Sequence, residues 1–139
     1  MPACIESVRI SVNKPESFAI ALRWCSTPTE MQTAKDWFTD PRPCKAYIYG
    51  SAKEELGIVL LSRMNTDPQG KHAKPWLVNF LIVSPCARRK GIATALASKI
   101  CAVDEATAFC SSDVSEQAFV KAGFYSHGVF NRTAMVRTV

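Results

Sequence analysis

At 139 residues the chain has the length of one ordinary domain and is short for two, so any site has to be built on a single core. Hydrophobic residues make up 47% and charged residues 21%, which excludes a disordered segment, and no apolar run has the length of a membrane span. The net charge of +5 points to a polyanionic partner, either a nucleic acid or a phosphate-bearing small molecule.

The first twelve residues alternate and lack the apolar stretch of a signal peptide, so a cytoplasmic protein that does not enter the membrane is expected. Six cysteines (Cys4, Cys25, Cys44, Cys86, Cys101 and Cys110) never fall as C-x-x-C and have only two histidines for company. Neither a metal site nor a disulfide framework is expected from them, and most of them read as small core hydrophobes.

In chain order, Ile5, Ser7, Val8, Ile10 and Val12 predict a first strand, ended by a turn at Asn13-Lys14-Pro15. Phe18, Ala21, Leu22 and Cys25 then recur at helical spacing and predict a buried stripe. Thr27-Pro28-Thr29-Glu30 is a capping-box pattern with proline at the first helical position, predicting a helix over 28–38. Residues 45–50 and 56–62 predict an antiparallel hairpin, and the polar stretch 65–74 a loop. The almost continuously apolar run 76–83 (WLVNFLIV) predicts a strand buried on both faces at the centre of a sheet. A helix over 91–103, a strand over 106–110, a helix over 115–122 and a hairpin over 124–130 and 134–139 complete the order. The fold class is therefore α/β (α+β): a single domain over 1–139 with a mixed central sheet of about six to seven strands, flanked by about four helices. A parallel step is expected between 76–83 and 106–110.

The informative stretch runs from Val83-Ser84-Pro85 through Cys86-Ala87-Arg88-Arg89-Lys90 to Gly91-Ile92-Ala93-Thr94, where a buried strand leads through a basic loop into a helix. Such a junction binds phosphate. The first helical turn leaves backbone N–H groups unpaired at the positive end of the macrodipole. Gly91 and Ala93 let those amides approach an anion closely, and Arg88, Arg89 and Lys90 add charge.

On these residues the chain resembles the GNAT acetyltransferase superfamily, whose signature [Q/R]-x-x-G-x-[G/A] is met by Arg88, Gly91 and Ala93 after an apolar-x-Pro step. Downstream, Phe119-Val120-Lys121-Ala122-Gly123-Phe124 is similar to the family's Y-x-K-x-G-F step. The resemblance covers about the C-terminal half of the chain. It implies acetyl transfer from acetyl-coenzyme A to an amine, with the pantetheine arm lying along Leu81, Ile82 and Val83. It further implies that Arg88, Arg89, Lys90, Gly91, Ile92, Ala93 and Thr94 hold the pyrophosphate, and that Ser112 and Phe119 stand beside the cofactor. A backbone N–H near Leu81 or Ile82 is the implied partner of the thioester carbonyl.

Two positions depart from the family pattern. Asn79 stands where many members carry a glutamate base, and it cannot take a proton. A lysine-like amine is only about 0.04% neutral at pH 7, so the proton needs another route, for which Asn79 or Ser84 could hold water. Phe119 replaces the usual tyrosine acid. That loss matters less, because a thiolate with a pKa near ~8.5 departs largely unprotonated. Tyr125 is a conceivable substitute acid, and His127 and Cys86 are weaker candidates for a base and an acyl carrier.

The leading expectation is thus an N-acetyltransferase using acetyl-coenzyme A, with an unidentified amine acceptor and room for a homodimer. The alternative is a catalytically weak acyl-coenzyme A-binding module of the same fold, acting through a protein partner. A nucleic-acid-binding role is disfavoured, since basic and aromatic residues do not interleave.

Overall fold

The computed structural model describes residues 6–65, 67, 70, 75–88, 90–110, 113–130 and 133–138. Four of the expectations above, on Cys4, Ile5, Arg89 and Ser112, and most of those on the stretch 65–74, lie outside the described residues.

The chain runs β1 (Ser7–Ser11), α1 (Lys14–Trp24), α2 (Pro28–Thr39), β2 (Cys44–Gly50), β3 (Glu55–Arg63), β4 (Trp76–Val83), α3 (Ile92–Val103), β5 (Ala106–Cys110), α4 (Asp113–Ala122), β6 (Tyr125–Phe130) and β7 (Thr133–Arg137). The strands form one seven-stranded sheet in the order β1-β2-β3-β4-β5-β7-β6, and the β4–β5 step is parallel while every other pairing is antiparallel. Mixed sheet and four helices match the fold class expected from the sequence.

Two helices cover each face. Ile20, Ala21, Trp24 and Trp37 of α1 and α2 pack on Ala46, Ile48, Ile58, Leu60 and Ile82. On the other face, Ile92, Leu96 and Ile100 of α3 and Phe119 of α4 pack on Val59, Leu61, Ala106, Ala108 and Val136.

The N-terminal quarter differs from the sequence reading in two ways. Asn13 is not a turn residue but the N-cap of α1: its side chain accepts from the Glu16 N–H at 3.0 Å, and Pro15 fits the first turn because its missing N–H would be unpaired there anyway. The buried stripe of α1 is Ser17, Ile20, Ala21 and Trp24, rotated from the predicted one. Phe18 instead meets Phe38 of α2, with ring centroids 4.4 Å apart, so it serves helix–helix packing and not the sheet.

In β4 the expectation of burial on both faces fails as well. Only Ile82 is buried there, and the other seven positions are half-buried. The cause is topological. Pairing with β5 covers Trp76, Leu77 and Val78 and stops, after which Phe109 and Cys110 pair only with β7. A second irregularity sits at the same level: Leu60 pairs with Phe80 and Leu61 with Val78, so Asn79 is an extra residue bulged out of the β3 ladder. The bulge switches side-chain parity. Trp76 and Val78 before it, and Leu81 and Val83 after it, all face α3 and α4.

α3 is fixed at both ends. At its start, a Cβ on Gly57 of β3 would lie 2.7 Å from Ile92 Cγ2, so only glycine lets the helix come this close to the sheet. At its end, the C-cap Asp104 is tied to β2. Lys45 Nζ reaches Asp104 Oδ1 at 2.5 Å and the Tyr47 hydroxyl donates to Oδ2 at 2.8 Å, with both charged side chains almost wholly buried. The Lys45 ammonium also lies 4.3 Å from the Trp76 ring centroid. A carboxylate at a helix C-terminus opposes the macrodipole, and Lys45 compensates for it. Across the sheet, Arg137 of β7 pairs with Asp67 of the β3–β4 connection at 2.6 Å.

Asp104→Ala should leave the Lys45 ammonium buried without its counter-charge and destabilise the protein by about 3–5 kcal/mol, read from urea unfolding midpoints. The double change Lys45→Met with Asp104→Leu should recover most of that loss.

Candidate functional site

Because β4 and β5 diverge past Val78, the sheet opens into a cleft of about 400 Å³. Val78, Asn79, Phe80 and Leu81 of β4 form one wall, Ala108, Phe109 and Cys110 of β5 another. Phe119 of α4 closes one side, and Thr29, Glu30 and Thr33 of α2 the opposite one. The volume lies in the range of small-ligand sites. On the β5 side of β4, the backbone groups beyond Val78 have no strand to pair with among the described residues, which makes that stretch an edge in the middle of a sheet. An extended ligand carrying amides can complete such an edge by backbone pairing.

The same strand leads to the junction where the sequence predicts an anion site. After Val83, a single 3-10 turn (Pro85–Ala87) and Arg88 bring the chain to Gly91, the N-cap of α3. Gly91 has φ +77 and ψ 13, the left-handed region that glycine adopts without a Cβ penalty. A glycine cap brings no side-chain acceptor, and none caps α3. The amides of Ile92, Ala93 and Thr94 therefore face outward at the positive end of the helix. A Cβ on Gly91 would meet no atom within 4 Å, so the space over it is open. Ile92 itself is anchored in the core at 3% exposure and contributes its backbone, not its side chain. Arg88 folds back, with its Nε 3.4 Å from the Val83 carbonyl, and both Arg88 and Lys90 are exposed in the short connection before Gly91. These groups suit the diphosphate of a nucleotide-bearing cofactor.

Of the other residues singled out by the sequence, Asn79 lines the cleft at the bulge, and its Oδ1 accepts from the Ser62 hydroxyl at 2.8 Å. Beside the bulge the Trp37 indole donates to the Leu61 carbonyl at 2.9 Å, which docks α2 onto it. Ser84 stands at the far end of β4, buried, with its Oγ 3.1 Å from the Cys86 sulfur, and does not line the cleft. Tyr125 is on edge strand β6, beyond β7, and is 62% exposed; it does not line the cleft either. His127 lies on the same strand. Phe119 lines the cleft and packs edge-on against Phe124, centroids 5.0 Å apart, where Gly123 at φ +119 ends α4.

Two cleft residues carry no sign of a site in the sequence. Cys110 is buried, and burial, with the nearby Glu116 carboxylate behind it, pushes its thiol up to about 11, so it stays protonated at neutral pH. Glu30 is legible in the sequence only as the partner in a capping box. That box is present: Thr27 Oγ1 accepts from the Glu30 N–H at 3.1 Å, and Glu30 Oε1 accepts from the Ser26 and Thr27 amides at 2.9 and 3.1 Å. The Ser26 N–H above all, helped by the Ser26 and Thr27 hydroxyls, holds the Glu30 carboxyl below its ordinary range against the opposing effect of burial. A carboxylate so stabilised is a poor base.

No protein-family model matches the chain, and no curated protein sequence matches it. Solved structures do. An acetyltransferase of the GNAT family from Desulfovibrio desulfuricans is similar with a TM-score of 0.71 at 14% identity, over 96% of this chain and 98% of that one. The Escherichia coli GNAT family N-acetyltransferase YhbS, solved with coenzyme A, is similar with a TM-score of 0.71 at 16% identity, over 100% of this chain and 84% of that one. An aminoglycoside 6'-N-acetyltransferase from Acinetobacter baumannii is similar with a TM-score of 0.57 at 17% identity, over 87% and 91% of the two chains. The chain therefore has the GNAT acetyltransferase fold.

Proposed function

We propose that this protein is an N-acetyltransferase that takes its acetyl group from acetyl-coenzyme A and gives it to an amine. The observation that carries the reading is the course of β4, which lines a cleft as an unpaired inner edge at Asn79–Leu81 and then runs into the uncapped, glycine-started mouth of α3. A ligand with an amide-bearing arm at one end and a diphosphate at the other matches that succession, and acetyl-coenzyme A is such a ligand. Two of the similar folds named above bear on this: one was solved with coenzyme A, and one is named for aminoglycoside acetylation.

In this reading Leu81, Ile82 and Val83 pair with the arm, and Ile92, Ala93 and Thr94, with Arg88, Arg89 and Lys90 around them, hold the diphosphate. Ser112 and Phe119 flank the arm. What acetyl-coenzyme A supplies is an activated acyl carbon: the amine nitrogen bonds to it, the C–S bond breaks, and the sulfur leaves with the bonding pair. A backbone N–H at Leu81 or Ile82 polarises the acyl oxygen. The proton that the amine gives up goes to water, since Asn79 accepts no proton and the Glu30 carboxyl, held below its ordinary range, is a poor base. Asn79, with its Oδ1 held by Ser62, has its amide N–H groups free to orient that water. Phe119 has no proton to give, so the sulfur departs as thiolate, as its ordinary pKa near ~8.5 allows.

A second reading, a binding module of the same fold with little turnover, rests on those two residues, Asn79 and Phe119. One experiment separates the two: incubation with acetyl-coenzyme A and a pool of monoamines, polyamines, aminoglycosides and peptides, with free thiol followed over time. Thiol release with some acceptor supports the transferase, and cofactor binding without release from any acceptor supports the module.

Gly91→Glu should abolish the thermal shift given by acetyl-coenzyme A, because it puts volume and negative charge where the diphosphate binds. Gly91→Ala carries the same positive-φ strain, about 1–2 kcal/mol, without the carboxylate. A shift lost in the Glu variant and retained at least in part in the Ala variant locates the anion at this mouth. An undiminished shift in the Glu variant would move the site elsewhere. Cys86→Ser should keep turnover within about twofold, since Cys86 is exposed outside the cleft; complete loss would make it an acyl carrier.

A further inference from the structure

The side of the cleft facing α2 carries one charge that the cofactor does not explain. Among the described residues lining the cleft, Glu30 is the only one with a formal charge at neutral pH. The other residues lining it, among them Thr29, Thr33, Asn79, Phe80 and Phe109, are neutral and in part apolar. The α2 cap accounts for one of its two oxygens. All four hydrogen bonds to the carboxylate, from the Ser26 and Thr27 amides and hydroxyls, fall on Oε1. Among the described residues Oε2 has none, so half of an anionic group is available to a ligand.

A capping box also forms with glutamine, whose side-chain oxygen can make the same bonds, although the helix start favours the charged form. The cap can therefore be kept while the charge is removed. A carboxylate oxygen with no partner among the described residues, in an otherwise neutral cleft, favours a cationic partner.

That partner is not the nitrogen that is acetylated. Attack needs a neutral amine, and a carboxylate beside it would hold it protonated, in a cleft with no other side-chain base among the described residues lining it. The charge paired with Glu30 is then a second one on the same acceptor. On this ground, and resting on the transferase reading above, we infer that Glu30 binds a fixed ammonium or guanidinium of the acceptor. The acceptor is thus a diamine or polyamine class of molecule, acetylated at one nitrogen and held by another. Glu30 acts here as a specificity-determining residue, and the capping box fixes its carboxylate in advance of binding, so that little side-chain freedom is lost on binding.

The test compares α,ω-diaminoalkanes of four to six carbons, and spermidine, with monoalkylamines of the same length, using wild-type protein, Glu30→Gln and Thr27→Ala. Binding is measured by calorimetry with acetyl-coenzyme A absent and present, and turnover by thiol release. Wild-type protein should bind the best diamine about three- to fivefold more tightly than its matched monoamine, the upper part of the range for one solvent-accessible ion pair. Glu30→Gln, which keeps the cap, should erase that preference by raising the Kd and KM of the diamine while leaving the monoamine within about twofold. Thr27→Ala, which weakens the cap and keeps the charge, should lower thermal stability and retain the preference. Equal affinity for both amine classes in wild-type protein, or a diamine preference that survives in Glu30→Gln, would overturn the inference. The Glu30 site stands or falls on binding, not on thiol release: charge-dependent diamine binding without any thiol release would sink the transferase reading while leaving the Glu30 site standing, and thiol release together with equal affinity for monoamines and diamines would do the reverse.

Discussion

Everything functional in this fold follows from the place where a parallel strand pair comes apart. β4 and β5 share a ladder over Trp76, Leu77 and Val78 and then separate, β5 going on with β7 alone. A sheet interior normally has no unpaired backbone, because each such group would be desolvated without a partner. Here the divergence makes an inner edge and leaves open space beside it. The bulge at Asn79, at the same level, turns an amide side chain into that space, and Trp37 and Ser62 hold the bulge from the α2 side. Cleft, edge and bulge thus share a single origin.

The second requirement is that α3 present its start to the end of β4. Its two fixings act at opposite ends and by different physics. Gly57 permits contact by having no side chain, and the Lys45–Asp104–Tyr47 cluster imposes contact by charge. The first is steric and tolerates no larger residue without a shift of Ile92. Electrostatics governs the second, where neither partner can be removed singly without leaving the other uncompensated. Between them they fix the direction in which the first helical amides point, so the site is set by the scaffold before any ligand arrives.

Much of this is legible in the sequence. The junction between β4 and α3 can be read because its signals are local: an apolar strand, Pro85, a basic loop, Gly91 and an amphipathic helix follow one another without interruption. The capping box of α2 is legible for the same reason. Contacts between residues distant in sequence are not, such as Lys45 with Asp104, 59 positions apart, and the close approach of Gly57 to Ile92. Glu30 is a subtler case. Its local role is sufficient by itself, so nothing in the sequence asks for another, and only the topology that carries α2 across the sheet brings it to the cleft. The N-cap role of Asn13 is hidden because Asn-Lys-Pro is as good a turn as a helix start, and the helix that follows decides between them.

The bulge also bears on how such a strand can change over time. An ordinary half-buried strand writes its orientation into an alternating pattern, so a slip by one residue is punished at every position. WLVNFLIV has no alternation, because parity reverses in its middle and both faces accept apolar groups. Exchanges among aliphatic residues along it are then cheap on either face. Gain or loss of a single residue is not, since it would erase the reversal or double it and rotate Asn79 out of line with Ser62. In this segment natural variation should conserve length more strictly than composition, and drift in identity there would say little about drift in use.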